Sequence, residues 1–464
     1  MSYTFDPTIL REYDIRGQID KNLSEDDAYA LGRAFGTFIQ KKDAIGSDHV
    51  VCVGYDGRNS SPALSSRLCE GLKETGVRVI SVGLGPTPML YFSVKHLNAD
   101  AGIMVTGSHN PSDYNGFKMT LNKAPIFGET IQAIGTLSAA GDITQGEGSV
   151  EEFDIKDIYV DRLMQDLELT RDMTIAWDAG NGAAGEILQL LAKKIPGKHH
   201  LLFEDIDGDF PNHHPDPTVD KNLVDLQKLV REENCDLGIA FDGDGDRIGV
   251  VDENGAVLRC DILMTIYARE VIENNPGAAI IGDVKCSQVM FDEINKMGGK
   301  AVMWKTGHSL IKDKMQELNA PLAGELSGHI FFADKYYGFD DALYCSVRLL
   351  NALSKADGGL SSLTSHLPVL FNTPELRIEV NEAEKFELVP RVFESLKAQA
   401  NDNAELDDID GVRVSTPDGW WLLRPSNTQD VLVARVEASS EEGLQRLKNM
   451  AGEEVKKIGY TLQF

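Results

Sequence analysis

The sequence has no apolar run near the ~20 residues that a bilayer-spanning helix needs. Its first twenty residues carry Asp6, Arg11, Glu12, Asp14 and Arg16 where a secretory leader has an apolar stretch. No secretory signal is therefore expected, and a cytoplasmic location is. Cysteine is scarce: Cys52, Cys69, Cys235, Cys260, Cys286 and Cys345 are all there are, and none forms a CxxC pair. Buried reduced thiols fit this pattern, and thiol chemistry does not. Positive charge is short as well, since 45 Lys and Arg face 73 Asp and Glu, a formal net charge of −28. Nucleic acid and anionic membranes are excluded as partners, because both need a basic face. A small phosphorylated ligand is not excluded, because salt screens distant charges over ~8–10 Å and basic residues can gather in a cleft.

What is present is enough apolar residue, 42%, for real cores in a chain of 464 residues. Domains of about 100–150 residues are commonest, so three or four are expected. Strand-like apolar runs alternate with helical patterns, which points to α/β architecture. A weak repeat runs through them. VVCVGYDG, TIAWDAGNG and AIIGDV each end in an acid near glycine, at Asp56, Asp178 and Asp283. Each precedes a helical stretch and then a second run ending in a polar motif: AGIMVTGSHNP, DLGIAFDGDGD and PLAGELSGH. In open α/β sheets ligands bind beyond the carboxyl ends of strands, so three such ends facing one another make a single cleft. From Leu367 the pattern changes to short strands and two amphipathic helices, one near Glu382–Ala400. The expected architecture is α/β: three similar mixed domains at 1–150, 151–255 and 256–366, then a smaller C-terminal α+β domain at 367–464. The Gly/Ser-rich stretch Gly358–Ser365 is the expected hinge before the last.

Five motifs carry candidate chemistry. Thr106-Gly107-Ser108-His109-Asn110-Pro111 follows an apolar strand and exposes a hydroxyl beside an imidazole, although the same residues make ordinary turns. Asp242-Gly243-Asp244-Gly245-Asp246-Arg247 spaces three carboxylates by glycines, so a tight loop can aim hard oxygen ligands at one cation. An EF-hand begins the same way and Glu253 falls at its twelfth position, but Arg247 occupies the glycine position and the flanks are strand-like. Gly180–Gly185 fits the dinucleotide fingerprint, with Glu204 near the place of a ribose-binding acid, yet also serves a tight strand-to-helix turn. In Gly324-Glu325-Leu326-Ser327-Gly328-His329, Glu325 and Ser327 alternate and point to one side of an extended segment, suiting vicinal hydroxyls. Arg424-Pro425-Ser426-Asn427-Thr428 sets a guanidinium fork beside two hydroxyls and an amide, suiting a phosphate dianion. The last two read equally well as polar loops or turns.

As an ordered set, from YDIRG near residue 13 to RPSNT near 424, these motifs resemble the α-D-phosphohexomutase family, most closely its bacterial phosphomannomutase/phosphoglucomutase branch. The resemblance implies four domains around a central cleft. It implies that Ser108 is a phosphoserine, that Ser108, Asp242, Asp244 and Asp246 hold Mg²⁺, and that Glu325 and Ser327 read sugar hydroxyls. Arg424, Ser426, Asn427 and Thr428 are implied to grip the phosphate that is not reacting. Tyr13, Arg16, Lys118, Arg247, Lys285, His308 and His329 match cleft positions in similar proteins. Lys118 and His308 are the candidates for general base, provided that nearby positive charge lowers the pKa. The implied activity interconverts hexose 1- and 6-phosphates of mannose or glucose through a 1,6-bisphosphate, with glucose 1,6-bisphosphate as activator and the chain as a monomer. The alternatives are a phosphoglucosamine mutase, a nicotinamide-dependent oxidoreductase and a non-catalytic sugar-phosphate binder. Tyr55, where relatives often have arginine, and Leu326, where they often have methionine, depart from the pattern.

Overall fold

In the computed structural model, residues 2–42, 49–122, 124–399, 404–427 and 429–464 are described. They form four sheets. The first three share one path. In the first sheet, Val50–Tyr55 lies centrally and pairs in parallel with Arg78–Leu84 on one side and Ala101–Val105 on the other. Tyr114–Leu121 then returns antiparallel to Ala101–Val105. The second sheet repeats this with Met173–Asp178, Gly197–Leu202, Leu237–Phe241 and the antiparallel return Ile248–Asp252. The third repeats it with Ala279–Asp283, Lys300–Trp304, Leu322–Gly324 and Ile330–Phe332. In each unit the polar motif is the turn between the last parallel strand and its antiparallel return. The repeat in the sequence is therefore a repeat of topology.

The strands explain themselves. Ala101–Val105 and Leu237–Phe241 are buried at every position, as parallel strands covered on both faces require. Helices close the crossovers with local signals: Ser287 accepts the Val289 N–H at the start of Gln288–Lys296, and Asp341 accepts the Tyr344 N–H ahead of Ala342–Ser354. One continuous apolar core joins a face of the first sheet to the second and third units, through Phe92, Tyr159, Trp177, Tyr267 and Leu343.

The fourth sheet is antiparallel throughout, in the order Phe371–Asn372, Val431–Ala438, Gly419–Pro425, Val412–Thr416, Glu405–Asp407, with Leu376–Glu379 also on Val431–Ala438. Glu382–Ala398 and Glu441–Lys457 pack on it around Trp421 and Leu423. The architecture is three α/β units and a smaller α+β unit.

Strand Ser149–Glu152 completes the first sheet and Val257–Leu258 the second. One expectation shifts. Gly358–Ser365 is not a free hinge. It contains a short helical turn, Leu360–Leu363, and the Glu253 carboxylate accepts both the N–H and the hydroxyl of Ser361. A Cβ on Gly359 would stand 2.3 Å from that carboxylate. A glycine chosen for close approach reads in sequence like one chosen for freedom.

Candidate functional site

The three hairpin turns meet. Ser108 is buried, and its backbone is left-handed with φ of 49°. Its Oγ donates to Asp242 Oδ2 at 3.0 Å and lies 3.3 Å from His109 Nδ1. The two loops dock through glycine, because a Cβ on Gly243 would stand 2.4 Å from the Ser108 carbonyl oxygen.

Asp242, Asp244 and Asp246 are fully buried, and one carboxylate oxygen of each lies within 4.8 Å of the others. Asp244 Oδ2 accepts from Thr87 Oγ1 at 2.5 Å, Thr106 Oγ1 at 3.1 Å and Lys118 Nζ at 2.7 Å. Its other oxygen has no hydrogen-bond partner among the described residues. Burial and the two neighbouring carboxylates push the Asp242 pKa well up. For Asp246 burial acts in the same sense, but Lys118 and His329 outweigh it and hold the pKa well down. An orphaned, buried carboxylate oxygen beside two further carboxylates fits a hard divalent cation, whose charge offsets their repulsion. The loop forms a β-hairpin, so the EF-hand is ruled out by its flanks.

Lys118, on the return strand Tyr114–Leu121, reaches Asp244 and also Asp246 Oδ2 at 2.5 Å. Burial works to lower its pKa, yet Asp244 and Asp246 raise it well above the lysine norm. The condition set for Lys118 as a base is not met, because its nearest charges are negative. For His308, burial together with Lys312, His329 and Lys118 lowers the pKa far below the usual value, leaving a neutral imidazole.

In the third turn, Glu325 Oε1 accepts the Gly307 N–H at 2.6 Å, and Oε2 lies 2.8 Å from His329 Nδ1. Ser327 Oγ is 3.5 Å from that same Oε2, so the two side chains sit side by side. Burial opposes charge on His329, but Asp246, with Nε2 at 3.3 Å from Oδ1, and Glu325 raise its pKa to about 9. His329 thereby bridges the third turn to the second. Arg247 Nε lies 3.9 Å from Asp242 Oδ2.

The remaining candidates among the described residues are each held by partners of their own. Tyr13 donates to the Thr306 carbonyl at 3.0 Å, receives a hydrogen bond from Asn427 Nδ2 and stands edge-on to His308. Arg424 is held by Asp410, Nε to Oδ2 at 2.9 Å, and Asp410 also accepts the Thr306 N–H. Ser426 Oγ accepts the Gln429 N–H. Lys285 Nζ lies 3.4 Å from Glu375 and 3.6 Å from Asp283. Arg16 is paired with Asp14. Thr428 lies outside the described residues.

Sequence reasoning passed over the supports. Asp56 Oδ2 accepts the Gly107 N–H at 3.1 Å, and Asp283 Oδ1 accepts the Leu326 N–H at 3.2 Å, so the repeated acid props up a turn in the first and third units. In the second, Asp178 faces His213 Nε2 at 3.0 Å instead. Thr87, Thr106, Asp410 and the buried Arg58 were also missed. Their repeat position was the one available signal, and it covered only the three acids. Gly180–Gly185 finds its reason here: Ala183 N donates to the Gly243 carbonyl at 2.9 Å, and a Cβ on Gly182 would meet that oxygen at 2.9 Å. The fingerprint braces the aspartate loop.

Known proteins share this fold. Residues 7–143, 157–255 and 259–371 match the phosphoglucomutase/phosphomannomutase alpha/beta/alpha domains I, II and III, and residues 375–453 match its C-terminal domain. The chain is 43% identical over 457 residues to the phosphomannomutase/phosphoglucomutase of Pseudomonas putida, covering 98% of this chain and 97% of that protein. It is 41% identical over 445 residues to a phosphoglucomutase of Neisseria gonorrhoeae, covering 95% of each. A crystal structure of a phosphoglucomutase/phosphomannomutase family protein from Burkholderia thailandensis superposes with a TM-score of 0.92 at 43% identity, covering 99% of this chain and 100% of that one.

Proposed function

The chain belongs to the phosphoglucomutase/phosphomannomutase family, and from that premise we propose that it interconverts hexose 1-phosphates and hexose 6-phosphates through a phosphorylated Ser108. The observation that carries this reading is the Ser108 hydroxyl held 3.0 Å from Asp242 inside a cluster of three buried carboxylates. A nicotinamide oxidoreductase is less supported, since its fingerprint serves as a brace.

Asp242, Asp244 and Asp246 would hold Mg²⁺, which when bound neutralises charge on the transferring group and on the serine oxygen. The rest is positioning. In the first half-reaction the P–Oγ bond of phosphorylated Ser108 breaks and a bond from phosphorus to O6 of a hexose 1-phosphate forms. The hydroxyl proton passes to a base. Lys118 and His308 remain the two candidates: Lys118 lies against Asp244 and Asp246, whose charge a bound cation would offset, and His308 is a neutral imidazole. The 1,6-bisphosphate then turns about, and its 1-phosphoryl returns to Ser108 Oγ as the C1–O proton is restored. Added glucose 1,6-bisphosphate acts as activator by rephosphorylating Ser108.

Glu325 and Ser327 would meet the sugar hydroxyls. Arg424, Ser426, Asn427 and Thr428 would hold the idle phosphate, with Lys285, Tyr13 and Arg16 at the cleft wall and Arg247 and His329 beside the aspartates. The partition at 1–150, 151–255, 256–366 and 367–464 assigns one task to each unit: phosphoserine, metal, sugar and phosphate grip. Turnover of mannose 1-phosphate, glucose 1-phosphate and glucosamine 1-phosphate, compared side by side, tests the reading and separates it from a phosphoglucosamine mutase. Intact mass should show about 80 Da extra on Ser108, the HPO₃ of a phosphoserine. A protein without that mass and without turnover of any of the three overturns it.

A further inference from the structure

Arg58 is a buried cation for which the mechanism above has no use. Its Nη2 donates to the carbonyls of Ser108 at 2.7 Å and Asn110 at 2.6 Å; its Nη1 donates to Tyr114 at 2.9 Å and to Pro111. Its Nε lies 3.2 Å from Asp56 Oδ2, the same oxygen that takes the Gly107 N–H. The Phe210 ring of the second unit lies 5.2 Å from the guanidinium carbon. Three of these carbonyls belong to the turn that carries Ser108, and the fourth, of Tyr114, opens the return strand that follows it.

A guanidinium spends its donors in a fixed planar fork, and here nearly all of them go to one loop. That loop holds a left-handed serine, a conformation that side chains with a Cβ disfavour. Gly107 is glycine for the same contact, since a Cβ there would stand 2.4 Å from Arg58 Nε. We propose that Arg58 is a positioning residue for phosphoryl transfer: by gripping the Ser108 carbonyl and its neighbours it keeps Ser108 Oγ in place against Asp242. Arg58 touches no reacting atom and acts through the loop. The proposal rests on the phosphoserine reading above.

The test uses the full chain and glucose 1-phosphate, with the wild type first shown to turn over and to carry the seryl phosphate. Absence of both removes the underlying reading and the proposal with it. Arg58→Lys keeps the charge but not the fork. It should lower kcat at least about 30-fold while KM stays within about 3-fold, as expected when geometry at the reacting atom is lost and ground-state binding is kept. Leu68→Ala, a core truncation in the same unit, serves as the stability control. At a matched fall in Tm it should keep kcat within about 2-fold, because its site loops are intact. Methylguanidinium added to Arg58→Ala should recover part of the lost kcat and none in Leu68→Ala. Arg58→Lys with wild-type kcat, or a loss equalled by Leu68→Ala, overturns the proposal. If the Arg58 variants do not fold, Asp56→Asn decides, since it loosens the guanidinium without removing it. A kcat about 10-fold lower at unchanged KM supports the role, and an unchanged kcat overturns it.

Discussion

At the scale of single residues, the site stakes most on Ser108 and the aspartates. Ser108→Ala should lose nearly all turnover with glucose 1,6-bisphosphate supplied, while circular dichroism stays unchanged, because no other hydroxyl carries the phosphoryl. Asp244→Asn should lower kcat by a factor of about 100 or more with a smaller change in KM, because the carboxylate serves charge that develops during transfer. Chelation should mimic it in the wild type, and added Mg²⁺ should restore activity. Full turnover of metal-free protein would make the triplet purely structural. The grouping of the three aspartates was legible because residue type and spacing carry it, whereas the role of Ser108 was implied only by the ordered set of motifs, its own loop reading equally as a turn. The state of Lys118 was not legible. Its carboxylate partners lie more than a hundred positions along the chain, and nothing local says whether a buried lysine meets anions or cations. Arg58 was hidden for the same reason, its acceptors being backbone carbonyls about fifty residues away.

Among the elements, the helix Ala342–Ser354 offers a measurable case. Asp341 caps it and also accepts from the hydroxyls of Tyr159 and Tyr336, both at 2.8 Å, so one carboxylate ties the second unit to the third. Burial raises its pKa to about 6 in spite of those donors. The folded protein thus holds this proton more tightly than the unfolded chain, and the contribution to stability falls as pH rises through that value. Between about pH 5 and pH 7, wild-type stability relative to Asp341→Asn should fall by about 1 kcal/mol. Chemical unfolding at the two pH values measures it, and a constant difference refutes it. Gly182→Ala tests the brace. Its methyl would press on the Gly243 and Asp242 carbonyls, so activity and metal affinity should drop together. The strands and hairpin turns were readable from apolar runs that end in turn residues. The edge strands Ser149–Glu152 and Val257–Leu258 were not, because SVEE is exposed throughout and Val-Leu is two residues long.

For the whole molecule, the fourth unit docks by a polar joint as well as an apolar one. Arg413 lies 3.7 Å from the Trp420 ring and donates to the Val284 and Cys286 carbonyls, while Arg435 reaches the Lys285 carbonyl. The strand end bearing Lys285 is therefore fixed to the unit bearing Arg424. Asp410 adds a link by joining Arg424 to the Thr306 amide. Arg424→Ala should weaken the grip on the idle phosphate and release more 1,6-bisphosphate per turnover, with activity more dependent on its addition. Quantifying free bisphosphate checks this, and wild-type release at wild-type rate excludes Arg424 from the grip. The general order of units was legible from the repeated motifs; the joint was not, because its acceptors are again main-chain atoms.

The four sheets are each completed within their own stretch of chain, while the units meet through the hairpin turns, a shared apolar core and the polar joint of the fourth unit. The four tryptophans, Trp177, Trp304, Trp420 and Trp421, all lie beyond the first unit, in the second, third and fourth sheets. Tryptophan fluorescence during refolding therefore reports directly on the second, third and fourth sheets, and on the unit that carries the nucleophile only through the shared core that includes Trp177. Turnover needs the first unit as well, so the tryptophan signal should recover before turnover or together with it.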